Sequence, residues 1–208
     1  RRRHTRLQGD WSSDVCSSDL IKSLGLSELG PFDPKKKIIE YLLEDSSNNK
    51  LVQMTLHEFV NETASESPAP GGGSVAAYLG SLGAALGTMV ANLSSHKKGW
   101  DDRWKEFSEW AESGQKIKNT LLKLVDEDTA AFNQIMTAFS LPKNSDEEKK
   151  LRASQIQLAT KRAMEIPFQV MEVSSQAFPL LKAMAETGNP NSVSDAGVGA
   201  IAVRGAVI

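Results

Sequence analysis

Residues 74–95 read SVAAYLGSLGAALGTMVANLSS. These 22 residues carry no charge, a length that invites a transmembrane reading. Their chemistry speaks against it, because most are Ala, Gly, Ser or Thr, which are weakly apolar, and no aromatic belt flanks them. Gly80, Gly83, Ala84 and Gly87 recur at helical spacing. Glycines spaced in this way let a second helix approach closely, so the segment is expected to be a central, buried helix. Its small-residue face is expected to contact a second subunit.

Outward from this helix, the chain reads as further helices separated by Gly/Pro punctuation. On the N-terminal side, residues 65–73 (SESPAPGGG) break the pattern, and Thr55 caps a short helix bearing Leu56, Phe59 and Val60. Residues 46–50 (SSNNK) are a polar linker, preceded by a helix opened by Asp33 and Pro34 with Ile38, Ile39, Leu42 and Leu43 on one face. On the C-terminal side, residues 101–139 form one long helix or two, with Trp104, Phe107, Ile117, Leu121, Leu124, Val125, Phe132, Ile135 and Met136 at spacings of three, four and seven. Ser145 and Glu148 form a capping box that opens the next helix. Pro167 marks a junction or kink. A helix over residues 168–186 follows, and Asp195 opens a last small-residue helix over residues 196–208. No segment alternates as a strand would, so the fold class is all-α, an up-and-down helical bundle.

The full chain has 208 residues, a formal net charge of -2, 40% hydrophobic and 24% charged residues. These values suit a globular domain and exclude a disordered chain or a disulfide scaffold. No basic excess is available to neutralise phosphates, so nucleic acid is not an expected partner, and neither is a membrane. The single cysteine implies a reducing, cytoplasmic setting. Residues 1–20 (RRRHTRLQGDWSSDVCSSDL) fit none of the helical patterning. Back-translated in one frame, residues 2–6 and 10–20 resemble a widely used sequencing-library adapter, with Leu7, Gln8 and Gly9 where its variable index falls. This segment is expected to pack against nothing, leaving Trp11 exposed. It holds four of the 24 basic residues, three of the 26 acidic ones and Cys16, so the remainder carries -3 and no cysteine. A cysteine nucleophile and a Cys/His metal site are thereby excluded, and no metal is expected. The chain stops in mid-pattern at Ile208, and the last domain is expected to be C-terminally incomplete.

Four features can carry chemistry. Gly71, Gly72 and Gly73 followed by Ser74 let the backbone approach a ligand at a helix N-terminus with free N–H groups; they equally describe a flexible turn with an N-cap serine. Asp126, Glu127 and Asp128 lie in mid-helix, and Asp128 is four residues from both Leu124 and Phe132. A carboxylate on an apolar stripe is costly unless paired or functional, so Asp128 is either a boundary carboxylate paired with a lysine or a working group. Lys143 and Asn144 hold an anion or cap a helix, and Asp195 is an N-cap or a ligand. His57 and His96 are isolated and read as surface or boundary residues.

In order and spacing, four motifs resemble the cyclodeaminase/cyclohydrolase family of folate enzymes. They are residues 67–74 (SPAPGGGS), residues 124–132 (LVDEDTAAF), residues 141–144 (LPKN), and Gly188-Asn189 with Ser194-Asp195. The resemblance covers residues 51–208. Residues 23–43 resemble the end of a glutamate formiminotransferase domain, so 21–50 would be that domain's end plus a linker, and the whole a bifunctional enzyme of histidine degradation. The family resemblance implies a helical bundle that dimerises, with its folate site near the dimer interface.

It also implies a reaction: closure of 5-formimidoyltetrahydrofolate to 5,10-methenyltetrahydrofolate with loss of ammonia, tetrahydrofolate acting as the carrier substrate. N10 of the folate attacks the formimidoyl carbon, one proton leaves N10 and one reaches the departing amine. A single partly buried carboxylate can serve both transfers, and the family's catalytic aspartate matches Asp128. By the same resemblance Lys143 and Asn144 would hold the folate carboxylates or glutamate tail. Gly71, Gly72, Gly73 and Ser74 would accept the pterin or benzoyl part, and Asp195 would orient the pterin or the helix end. Two alternatives stand beside this: a methenyltetrahydrofolate cyclohydrolase, in which water attacks the methenyl bridge, and a non-catalytic helical dimerisation module with Asp128 as a structural pair.

Overall fold

Two helix starts are written locally. Thr55 opens α1, Leu56–Thr63, by accepting from the Glu58 N–H at 3.2 Å while its own N–H donates to the Glu58 carboxylate at 2.8 Å. The Thr55 N–H, and then its hydroxyl, hold the Glu58 carboxyl below the usual carboxylate range. Ser145 and Glu148 make the same reciprocal pair at the start of another helix, Asp146–Ser175. The structure is a computed structural model and describes residues 51–208. The adapter-like residues 1–20, Trp11 and the readings of residues 21–50 lie outside the described residues.

In chain order the helices are α1, then α2 (Gly72–Ser95), α3 (Trp104–Ser140), α4 (Asp146–Ser175), α5 (Ala177–Thr187) and α6 (Val193–Val207). Short 3-10 turns occupy Leu51–Gln53 and Pro190–Ser192, and no strand occurs among the described residues. The all-α bundle expected from the sequence is the architecture found.

Helix α2 is the axis around which the others pack, touching α3, α4, α5 and α6. The side-chain contacts fix its register. Ser74 meets Asp128, Gly80 meets Leu121, and Gly114 meets Thr88, so α3 runs antiparallel to α2. Gly80 also meets Ala206, and Gly83 meets Val203 and Gly199, so α6 runs antiparallel on another side. A Cβ built on Gly83 would lie 2.6 Å from Val203 Cγ2 and 2.7 Å from the Gly199 carbonyl oxygen. Backbone against backbone at that spacing admits only glycine. The small-residue face is therefore filled from within the chain, by α4, α5 and α6, and not by a second subunit as its pattern suggested. Twelve of the 24 residues of α2 are buried, and α2 is the helix among the described residues long and apolar enough to cross a membrane.

Two apolar clusters flank α2. One, holding Phe59, Leu121, Leu124, Val125, Ile166 and Val170, lies toward its N-terminal end. The other, with Val90, Phe107, Leu180, Met184 and Ala196, lies toward its C-terminal end. Leu121, Ile166 and Leu180 are wholly buried, each side chain contributing roughly 1.5–3 kcal/mol.

Of the two readings of residues 101–139, the single long helix is the one found, Trp104–Ser140. Two local expectations need correction. Pro167 is not a junction: it lies exposed inside α4, which continues past it and ends instead at Gln176. Pro179 explains the break, since it sits in the first turn of α5, where a missing N–H costs no helical bond. Finally, α6 starts at Val193, so Asp195 lies inside its first turn and is not its cap.

Candidate functional site

Three consecutive acidic residues leave α3 in three directions, because helical neighbours are turned about 100° from one another. Asp126 Oδ1 accepts from the Val52 N–H at 3.4 Å and so ties down the Leu51–Gln53 turn. Glu127 pairs with Arg162 of α4 at 2.7 Å. Asp128 points at the N-terminus of α2, where its Oδ2 accepts from the Ser74 hydroxyl at 2.9 Å. Asp128 is half-buried and Ser74 is fully buried. Among the described residues no lysine pairs with Asp128; a hydroxyl takes that place.

The glycine turn is shaped around this carboxylate. The nearest atoms to a Cβ built on Gly73 are all of Asp128: Oδ1, then Cγ at 2.7 Å and Oδ2 at 2.8 Å. A Cβ on Gly71 or Gly72 would meet open space. The sequence expectation that all three glycines make room for a ligand is thus divided. Gly73 makes room for Asp128, while Gly71 and Gly72 border the open side. Gly71 caps α2 without a side-chain bond, and the first intrahelical bond runs from the Val75 N–H to the Gly71 carbonyl. The amides of Gly72, Gly73 and Ser74 accordingly form the positive end of a 24-residue helix beside the carboxylate.

The remaining candidates lie elsewhere on the chain. Twelve helical residues separate Asp128 from the end of α3, about 18 Å at 1.5 Å per residue, and Lys143 and Asn144 come after that. Lys143 is exposed and lines a hollow of about 460 Å³ with Lys149, Arg152 and Gln157. The Asn144 backbone N–H donates to Glu148 at 2.7 Å, inside the cap of α4. Asp195 lies at the opposite end of α2: the Asn189 N–H just before α6 donates to Ser94 at 2.8 Å, and Ala196 packs with Val90. Within one chain, Lys143, Asn144 and Asp195 do not reach the Asp128 carboxylate. His57 and His96 are both exposed, as their isolation suggested.

Three participants escaped the sequence reading. Thr129 stands 3.2 Å from the Ser74 hydroxyl, Arg162 holds Glu127, and Val52 meets Asp126. Only Thr129, next to the suspected aspartate, had any local signal.

The sequence profile of the formiminotransferase-cyclodeaminase family matches residues 55–208, which include every described helix. This chain belongs to that family. Formimidoyltransferase-cyclodeaminase of Mus musculus is 38% identical over 186 residues, covering 89% of this chain and 34% of its own length. The chain thus spans about a third of that relative. A methenyltetrahydrofolate cyclohydrolase of Methylorubrum extorquens is 40% identical over 144 residues, 69% of each chain. Among solved structures, the formiminotetrahydrofolate cyclodeaminase of Thermotoga maritima superposes with a TM-score of 0.65 at 31% identity, covering 76% of this chain and 74% of that one.

Proposed function

We propose that the protein is a folate-dependent ammonia lyase that closes 5-formimidoyltetrahydrofolate to 5,10-methenyltetrahydrofolate. The observation that carries this reading is the meeting of Asp128 with the glycine turn. A carboxylate on a mid-helix face, far along the chain from that turn, is held against the free amides of a helix N-terminus. Asp128 is the general base for the N10 proton and then the general acid for the departing amine. The amides beside Gly71 and Gly72 receive the electron-rich carbonyl of the pterin or benzoyl part. Tetrahydrofolate is the carrier substrate, and neither nucleic acid nor membrane is a partner in this reading.

The same reading makes residues 51–208 the cyclodeaminase domain and 21–50 the end of a formiminotransferase domain, in a cytoplasmic bifunctional enzyme of histidine degradation. It also makes the protein a homo-oligomer built from dimers. Leu82, Leu86, Met89 and Leu93 recur every three or four residues along α2, and Leu82, Met89 and Leu93 are exposed. On the adjacent α6, Val198 and Ile201 are exposed as well. A second copy covering such residues supplies what one chain separates, with Lys143 and Asn144, or Asp195, brought from the partner toward the glutamate tail or pterin.

The second reading, methenyltetrahydrofolate cyclohydrolase, is favoured by one observation, the similarity to the Methylorubrum protein over 69% of both chains. One assay separates the two. The protein is given 5-formimidoyltetrahydrofolate, and ammonia and methenyltetrahydrofolate absorbance are followed together; both should rise in step. Decay of added methenyltetrahydrofolate without ammonia from the formimidoyl substrate would select the cyclohydrolase. Neither reaction and no folate binding would leave the non-catalytic helical dimerisation module.

A further inference from the structure

Five of the seven threonines in the described helices share a habit, Thr160 and Thr129 being the exceptions. The hydroxyls of Thr63, Thr88, Thr120, Thr137 and Thr187 each donate to the carbonyl four residues back in their own helix, at 2.7–3.0 Å. Thr129 does not. Its hydroxyl turns away from its own helix toward Ser74 on α2, 3.2 Å from that hydroxyl. The direction of this bond follows from counting protons. Ser74 has one hydroxyl proton, and it is engaged by Asp128 Oδ2 at 2.9 Å. Toward Thr129, Ser74 can only accept, so Thr129 donates. The result is a one-way chain, Thr129 to Ser74 to Asp128, in which each bond polarises the next.

The chain makes the two carboxylate oxygens unequal. Oδ2 is engaged by the buried serine. Oδ1 has no hydrogen-bond partner among the described residues and lies against the Cα of Gly73, with no side chain between. We infer that Thr129 and Ser74 are positioning residues that lock the Asp128 carboxylate in one rotamer and leave Oδ1 as the oxygen that takes and returns the proton. The inference rests on the assignment of Asp128 as the acid/base. It gives Ser74 a role other than substrate contact, and gives Thr129 a role that its place on the sequence does not announce. The local fold suits the task. Thr129 follows Asp128 directly on α3, so both ends of the chain of bonds ride on one rigid helix, while Ser74 enters from α2 and senses any shift between them.

The test uses isosteric changes, because Thr129 is half-buried and Val keeps its shape. Turnover of the formimidoyl substrate, or of methenyltetrahydrofolate if that is the reaction, is measured with crystal structures of the same variants. Ser74→Ala, which removes a bond to a charged group, should lower kcat about tenfold to a hundredfold with KM within about twofold. Thr129→Val, which removes a neutral bond, should lower kcat about three- to tenfold with KM unchanged, and Thr129→Ser should restore it. Because the bonds act in series, the double variant should be no slower than Ser74→Ala alone. In the Ser74→Ala crystal the Asp128 carboxylate should rotate away from its wild-type position. Wild-type kcat in Thr129→Val, a loss in KM in place of kcat, or multiplying effects in the double variant would overturn the chain of positioning. If wild-type protein turns over neither folate, the catalytic reading fails by itself, and the carboxylate's position in the two single variants then decides the inference. A rotated carboxylate upholds the positioning role, and an unmoved one ends it.

Discussion

The two halves of α2 use glycine for opposite purposes. At its start, Gly73 lacks a side chain so that a carboxylate from another helix can rest on its Cα, and Gly71 and Gly72 face open space. In its middle, Gly80, Gly83 and Gly87 lack side chains so that α4, α5 and α6 can close onto the helix. Composition does not distinguish these uses. What distinguishes them is the neighbour: a titratable group that can do chemistry in one case, and aliphatic carbon, backbone and the Ser174 hydroxyl in the other. Substitutions at the first region should therefore be read in turnover, and those at the second in stability.

The largest separation is expected from Asp128→Asn, which keeps shape and the contact with Ser74 but cannot shuttle a proton. Turnover should fall by roughly 10²–10⁴-fold with folate affinity within a few-fold and melting little changed. Near-wild-type turnover in a folded variant would remove Asp128 from the mechanism and erase the distinction between the two halves. Gly83→Leu probes the other half. It has nowhere to go against Val203 and the Gly199 carbonyl, and should cost at least about 1–3 kcal/mol in a denaturation experiment. Unaltered melting would show that α6 does not close on α2 as described.

Smaller changes sharpen the boundary. Gly73→Ala should push the Asp128 carboxylate off its seat and lower turnover more than it lowers the melting temperature; the reverse order would make Gly73 a packing glycine like Gly83. Asp126→Asn should lower turnover no more than a few-fold, since its partner is the Val52 N–H at a long 3.4 Å and not α2. Gly72→Ala is expected to be the mildest. It meets no atom within 4 Å, sits within a helix, and should stabilise by about 0.4–1 kcal/mol if substrate does not need that space. A loss of folate affinity in this stable variant would mark Gly72 as the place where substrate lies.

The sequence by itself determined a good deal: the all-α class, the helix caps at Thr55 and Ser145, and the central standing of α2. Each of these depends on residues within a turn or two of one another, where helical periodicity and local hydrogen bonding decide the outcome. Other questions were left to tertiary structure. Whether the small-residue face of α2 met its own chain or another could not be read locally, because a glycine stripe specifies close approach and says nothing about whose helix approaches. Pro167 read as a junction or kink, yet the helix continues through it and breaks nine residues later. Phe132 and Met136 continue the apolar pattern of α3, yet they are exposed, because α3 outruns the start of α2 and has less to pack against. Above all, the union of Ser74 with Asp128 and Thr129 spans more than fifty residues of chain. Only the antiparallel register of α2 on α3, fixed by buried contacts along their length, brings a hydroxyl to a carboxylate and makes a site of two unremarkable motifs.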